Sequence, residues 1–145
     1  MAFMSIEIVS LSHCNKELLN NIAPEVFDYE INSQYLADFL DDPRHIMYLA
    51  VDERVVVGMA SAVEYFHPDK PPQLWINEIG VTISHRRRGI GRQLVQALVL
   101  YAHERGCAYA WLGTDIDNVA AQACFSSVPD VEKPQSFLLY EWELD

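Results

Sequence analysis

Val81-Thr82-Ile83-Ser84-His85-Arg86-Arg87-Arg88-Gly89-Ile90-Gly91-Arg92-Gln93-Leu94 runs from an apolar strand end, through a turn dense in arginine and glycine, into a helix. Ile90, Leu94, Ala97, Leu98 and Tyr101 fall at i, i+4, i+7, i+8 and i+11, one apolar stripe. A helix is therefore predicted from about Ile90 to Arg105, with Gly106 as its C-terminal stop. Four of the chain's ten Lys and Arg residues, Arg86, Arg87, Arg88 and Arg92, lie within seven positions of this turn. Glycine lets a ligand approach the backbone, the first-turn N–H groups of a helix point outward, and the helix dipole favours an anion there. A run of arginines alone is commonly just solvated; between a strand and a helix it implies a phosphate or pyrophosphate site. The turn has no G-K-[ST] of a Walker loop and no G-x-G-x-x-G of a dinucleotide fold.

Upstream of this turn the chain reads as strands. Ile46–Val51 and Val55–Phe66 are β-rich runs joined by Asp52-Glu53-Arg54, a hairpin, and Leu74–Ile83 is a third long strand after a loop with three prolines. Ile6, Ile8, Val9 and Leu11 suggest an opening strand, followed by helix-like spacing over Ser12 to Asn21. Downstream, Cys107–Thr114 reads as a buried strand, Asn118–Phe125 as a short helix and Phe137–Trp142 as a last strand. Three strands followed by alternating helices and strands argue a mixed α/β sandwich and not a purely parallel sheet. Trp75, Trp111 and Trp142 fall in these strands and are expected in the core.

Length and composition bound the rest. The 145 residues suit one domain, and half of them are hydrophobic, so the chain should fold. The net charge of −11 disfavours nucleic acid and anionic lipid and suits a cationic partner. Glu25 to Asp42 holds six acidic residues and no basic one, and Tyr35, Leu36, Phe39 and Leu40 within it predict an amphipathic helix over Asn32–Asp41. Cys14, Cys107 and Cys124 form no C-x-x-C, and the first residues resemble no signal peptide. A soluble, cytoplasmic protein is expected, with neither a metal site nor a nucleophilic cysteine.

The Arg86, Gly89 and Gly91 spacing after a strand resembles the acetyl-CoA motif [QR]-x-x-G-x-[GA] of the GNAT family of N-acetyltransferases, and the order of elements agrees over nearly the whole chain. The resemblance implies one acetyltransferase domain over residues 1–145. It implies a GNAT-type fold of the α/β (α+β) class, with a mixed, mostly antiparallel central sheet of about six to seven strands flanked by helices. It further implies that Ile79, Gly80 and Val81 meet the pantetheine arm and that Arg86, Arg87, Arg88, Gly89, Ile90, Gly91 and Arg92 hold the pyrophosphate. Asn118 matches a position that contacts the cofactor arm. Within the family, Asp28-Tyr29-Glu30, Tyr35-Leu36, Val56-Val57-Gly58 and Glu78-Ile79-Gly80-Val81 look most like the type I aminoglycoside 3-N-acetyltransferases. That implies a small cationic amine, aminoglycoside-like, as acceptor, antibiotic resistance as a role, and a possible homodimer.

Amine acetylation needs a base, a donor for the thioester carbonyl and a proton for the leaving thiolate. By this resemblance Glu78 is the candidate general base and the Val81 N–H the carbonyl donor, with Asp28, Glu30 and Asp115 as candidate acceptor contacts; an isolated Glu is equally often a solvated strand residue, and aspartates placed like Asp115 and Asp117 more often serve a turn and a helix cap. Two family features are missing. Gly113 stands where other members carry a glutamate, and Phe125 stands seven residues after Asn118 where many have a tyrosine acid. Tyr140 or water is left as the proton source. The alternatives are a catalytically weak acyl-CoA-binding module or a protein or peptide N-acetyltransferase.

Overall fold

The computed structural model describes residues 6–145. Its sheet has five strands in chain order: β1 (Ile6–Ser10), β2 (His45–Asp52), β3 (Val55–Tyr65), β4 (Gln73–Val81) and β5 (Tyr109–Trp111). The first four are antiparallel to their neighbours, and β5 runs parallel to β4. The helices are α1 (Ser33–Asp41), α2 (Ile90–Glu104) and α3 (Val119–Ser126), and the predicted Ser12–Asn21 helix is a short 3-10 turn, Lys16–Asn20. Asn32 caps α1, its side chain accepting from the Gln34 and Tyr35 N–H groups.

The long central strand β3 is buried along both faces, so the sheet carries two cores. Ala50, Val57, Ala60, Ala62, Leu74 and Ile76 pack against the Ile90, Leu94, Val95 and Leu98 stripe of α2. On the opposite face Met47, Leu49, Val56 and Met59 are covered by Leu11, Leu19 and Val26, with Leu36 and Phe39 of α1 at their edge. One charged side chain enters the sheet. Glu64 is 3% exposed, and its Oε2 accepts from Arg105 Nε at 3.1 Å. Arg105→Ala strands this carboxylate and should cost about 1–3 kcal/mol of stability, read as a lowered denaturation midpoint.

The expected sixth and seventh strands do not form among the described residues. Phe137–Trp142 is not a strand, and Phe137, Leu138, Leu139, Tyr140 and Trp142 are all exposed. The physical reasons are local. Pro129 and Pro134 remove N–H donors, Asp130 turns at φ 65°, and the run is apolar at both parities and so has no face to set a register. Its strand signal was residue preference alone. The Cys107–Thr114 strand likewise shrinks to three paired residues, because β5 meets β4 only at Gln73, Leu74 and Trp75. Trp75 and Trp142 are therefore exposed instead of core; Trp75 stacks on Trp111 at 5.8 Å, while Trp111 Nε1 donates to the Tyr65 hydroxyl.

Candidate active site

The short β5 has a consequence for β4. Beyond Trp75, the stretch Ile76 to Val81 has no ladder partner on its β5 side, which leaves a backbone edge open for an extended ligand. On its other side β4 pairs with β3 through an irregularity: Ser61 pairs with Glu78 and Ala62 with Ile76, so Asn77 is the extra residue. Ser61 Oγ donates to Asn77 Oδ1 at 3.0 Å. A bulge re-aims the residues around it. Here Glu78 comes out on the face that carries Ser61 and Met59, away from α2.

Gly80 is fixed by close approach. A Cβ at this position would overlap the Val26 carbonyl, so the segment Glu25–Val26 runs directly against β4. That contact brings the acidic segment over the sheet. A cleft of about 310 Å³ opens there, lined by Phe27, Asp28, Tyr29 and Glu30 of this segment, by Tyr35 of α1 and by Glu78 of β4. The structure thus joins Glu78 to Asp28 and Glu30, which lie 48 or more residues before it in sequence. Asp115 does not line this cleft; it sits exposed in the turn between β5 and α3, where its carbonyl accepts from the Asn118 N–H. A larger groove of about 470 Å³ lies between α2 and β1–β2, lined by residues such as Tyr48, Gln93 and Tyr101, and contains none of the predicted site residues.

After β4 the chain makes a 3-10 turn, Ile83–His85, and then the arginine turn. Arg87 takes φ 64° and Gly89 φ 79°, and α2 begins at Ile90. Nothing lies within 4 Å of a Cβ built on Gly89, so the turn faces open space. The first-turn N–H groups of the 15-residue α2 point the same way by helix geometry, and Arg86, Arg87, Arg88 and Arg92 are exposed around them. These residues fit a diphosphate. Arg86 has a further part that sequence reading missed: its Nε donates to the Val81 carbonyl at 2.9 Å and its guanidinium pairs with Glu25 at 3.5 Å. The turn is also tied from behind, as His85 Nε2 meets Asp52 Oδ2 at 2.7 Å and Nδ1 meets Ser84 Oγ at 2.9 Å. The His85–Asp52 and Arg86–Glu25 ties cross 33 and 61 positions of sequence, and no local pattern announces them.

Residues 15–127 match the acetyltransferase (GNAT) family. The chain belongs to that family. Over 106 residues it is 27% identical to human N-acetyltransferase 8, an alignment covering 72% of this chain and 47% of that protein. The chain thus spans about half the length of the curated relative it matches. Its fold is similar to that of an aminoglycoside acetyltransferase from an uncultured soil metagenomic sample, with a TM-score of 0.75 and 20% identity over 95% of this chain and 97% of the other. It is also similar to aminoglycoside N-acetyltransferase AAC(6')-Iy in complex with CoA, with a TM-score of 0.73 and 19% identity over 97% of each chain. The GNAT fold predicted from sequence is thereby present, with five strands in place of six or seven.

Two positions near the family site have structural duties of their own. Asn118 caps α3, its Oδ1 accepting from the Ala121 N–H at 3.0 Å. A Cβ on Gly91 would meet Cys124 Sγ at 3.0 Å, so this glycine lets α2 and α3 approach. Burial pushes the Cys124 thiol above its ordinary pKa, the reverse of what a thiolate nucleophile needs. Gly113 is covered by the Phe137 ring, and Tyr140 is 72% exposed. No group of three or more metal-ligating side chains occurs among the described residues, and none of their helices is long and apolar enough to cross a membrane.

Proposed function

We propose that this chain transfers the acetyl group of acetyl-CoA directly to a primary amine of a small cationic acceptor, with Glu78 as general base. One observation carries the reading: the bulge at Asn77 aims Glu78 into an acidic cleft at the point where the β4 edge is open and leads into the arginine turn. Asp28 and Glu30 attract the ammonium ion to the cleft, and Glu78, directly or through water, removes its proton. The free amine then attacks the thioester carbonyl. An N–H of the open edge, that of Val81, stabilises the developing oxyanion. Collapse of the tetrahedral species breaks the C–S bond; its ammonium nitrogen gives its excess proton to water, and the leaving thiolate takes one proton back from water, since Phe125 supplies no hydroxyl.

Ile79, Gly80 and Val81 hold the pantetheine arm in this reading, and Arg87, Arg88, Gly89, Ile90, Gly91 and Arg92 hold the diphosphate. Arg86 acts from behind, clamping Val81 and Glu25 together. Asn118 lends its amide N–H groups to the arm while its oxygen caps α3. Aminoglycosides are the first acceptors to try, because several solved proteins of similar fold are aminoglycoside acetyltransferases, one of them in complex with sisomicin. The test is thiol release from acetyl-CoA with a panel of aminoglycosides, polyamines and amino-terminal peptides. Amine-dependent release supports the reading. Tight acetyl-CoA binding without release on any amine supports instead an acyl-CoA-binding module.

A further inference from the structure

The acceptor cleft is acidic only at its mouth. Its floor is formed by Leu11, Leu19 and Met47, all buried, and its walls by the half-buried Phe27, Leu36 and Phe39. Tyr29 and Tyr35, 88% and 74% exposed, place two aromatic rings at the rim beside Asp28 and Glu30. Carboxylates at the mouth and an apolar floor below make two unlike demands on one ligand. An amino sugar meets only the first, because each ring hydroxyl brought onto Leu, Met and Phe side chains loses its water partner without gaining another. Size acts in the same direction: about 310 Å³ is at the small end of ligand pockets and has room for a single ring or a short chain.

We infer that the preferred acceptor is a primary amine carried on an apolar body, an arylalkylamine or alkylamine, with its nitrogen at Glu78 and its hydrocarbon part on the Leu11, Leu19 and Met47 floor. This rests on amine acetylation at Glu78 and departs from the aminoglycoside example. The Tyr29 and Tyr35 rings receive the ammonium on its way in.

The experiment is a set of kcat/KM values for the unmodified protein with acetyl-CoA and four amines: ethylamine, hexylamine, 2-phenylethylamine and kanamycin. The expected result is a rise of about fourfold per added methylene from ethylamine to hexylamine, with 2-phenylethylamine above kanamycin. Leu36→Asn should flatten that chain-length dependence with the KM for acetyl-CoA unchanged. A flat series, or kanamycin above hexylamine and 2-phenylethylamine, overturns the inference and leaves amine acetylation standing. Thiol release with none of the four, despite acetyl-CoA binding, removes both.

Discussion

Glu78→Gln lowers kcat for acetyl transfer by about 10²- to 10⁴-fold, the usual worth of a positioned general base, and leaves the affinity for acetyl-CoA unchanged. Gln is isosteric, so the bulge, the Ser61 pairing and the cleft wall persist while the proton acceptor is lost. The loss is specific to proton transfer, because kcat falls while acetyl-CoA binding persists. A variant with unchanged kcat across pH would place the base elsewhere, and Asp28 is the next carboxylate in the cleft.

Gly80→Ala acts through the backbone. The added methyl overlaps the Val26 carbonyl, which belongs to a main chain that cannot rotate away as a side chain would. Either β4 or the Glu25–Val26 segment must shift, and overpacking of this kind costs about 1–3 kcal/mol. The same shift pulls Glu25 from Arg86 and moves the acidic segment relative to Glu78. Misplacement of reacting groups by about 1 Å costs on the order of 10²-fold in rate. Denaturant unfolding and kcat/KM should therefore fall together. Gly106→Ala is the control: Gly106 has φ 79° and lies just past the end of α2, away from the cleft, so the variant should lose about 1–2 kcal/mol of stability with activity unchanged.

The arginine turn and the helix after it were legible because their signals are local: an apolar stripe at helical spacing, glycines at a strand-to-helix junction, and a charge run against an acidic background. Ile90, Leu94 and Leu98 are buried as the stripe requires, although Val95 and Ala102 join them where Ala97 and Tyr101 were expected. The hairpin and third strand were legible for the same reason. Grouping Glu78 with Asp28 and Glu30 was open to inference only through family resemblance, since it depends on a bulge at Asn77 and on Gly80 admitting Val26, neither of which has a periodic signature. Asp115 followed the acidic pattern but stands in a turn outside the cleft, where its backbone carbonyl receives Asn118. The last strand failed because β preference without alternation gives no register, and two prolines precede it.

The central claim is that one cleft brings an amine to an acyl donor through Glu78. Its most direct test is mass spectrometry of the amine after incubation with acetyl-CoA, run side by side with the unmodified protein and Glu78→Gln. The account predicts one acetyl group on the amine nitrogen, formed in step with free CoA, and its near absence with the variant. Acetylation of the amine at the same rate with both proteins, or CoA release without any acetylated amine, would contradict it.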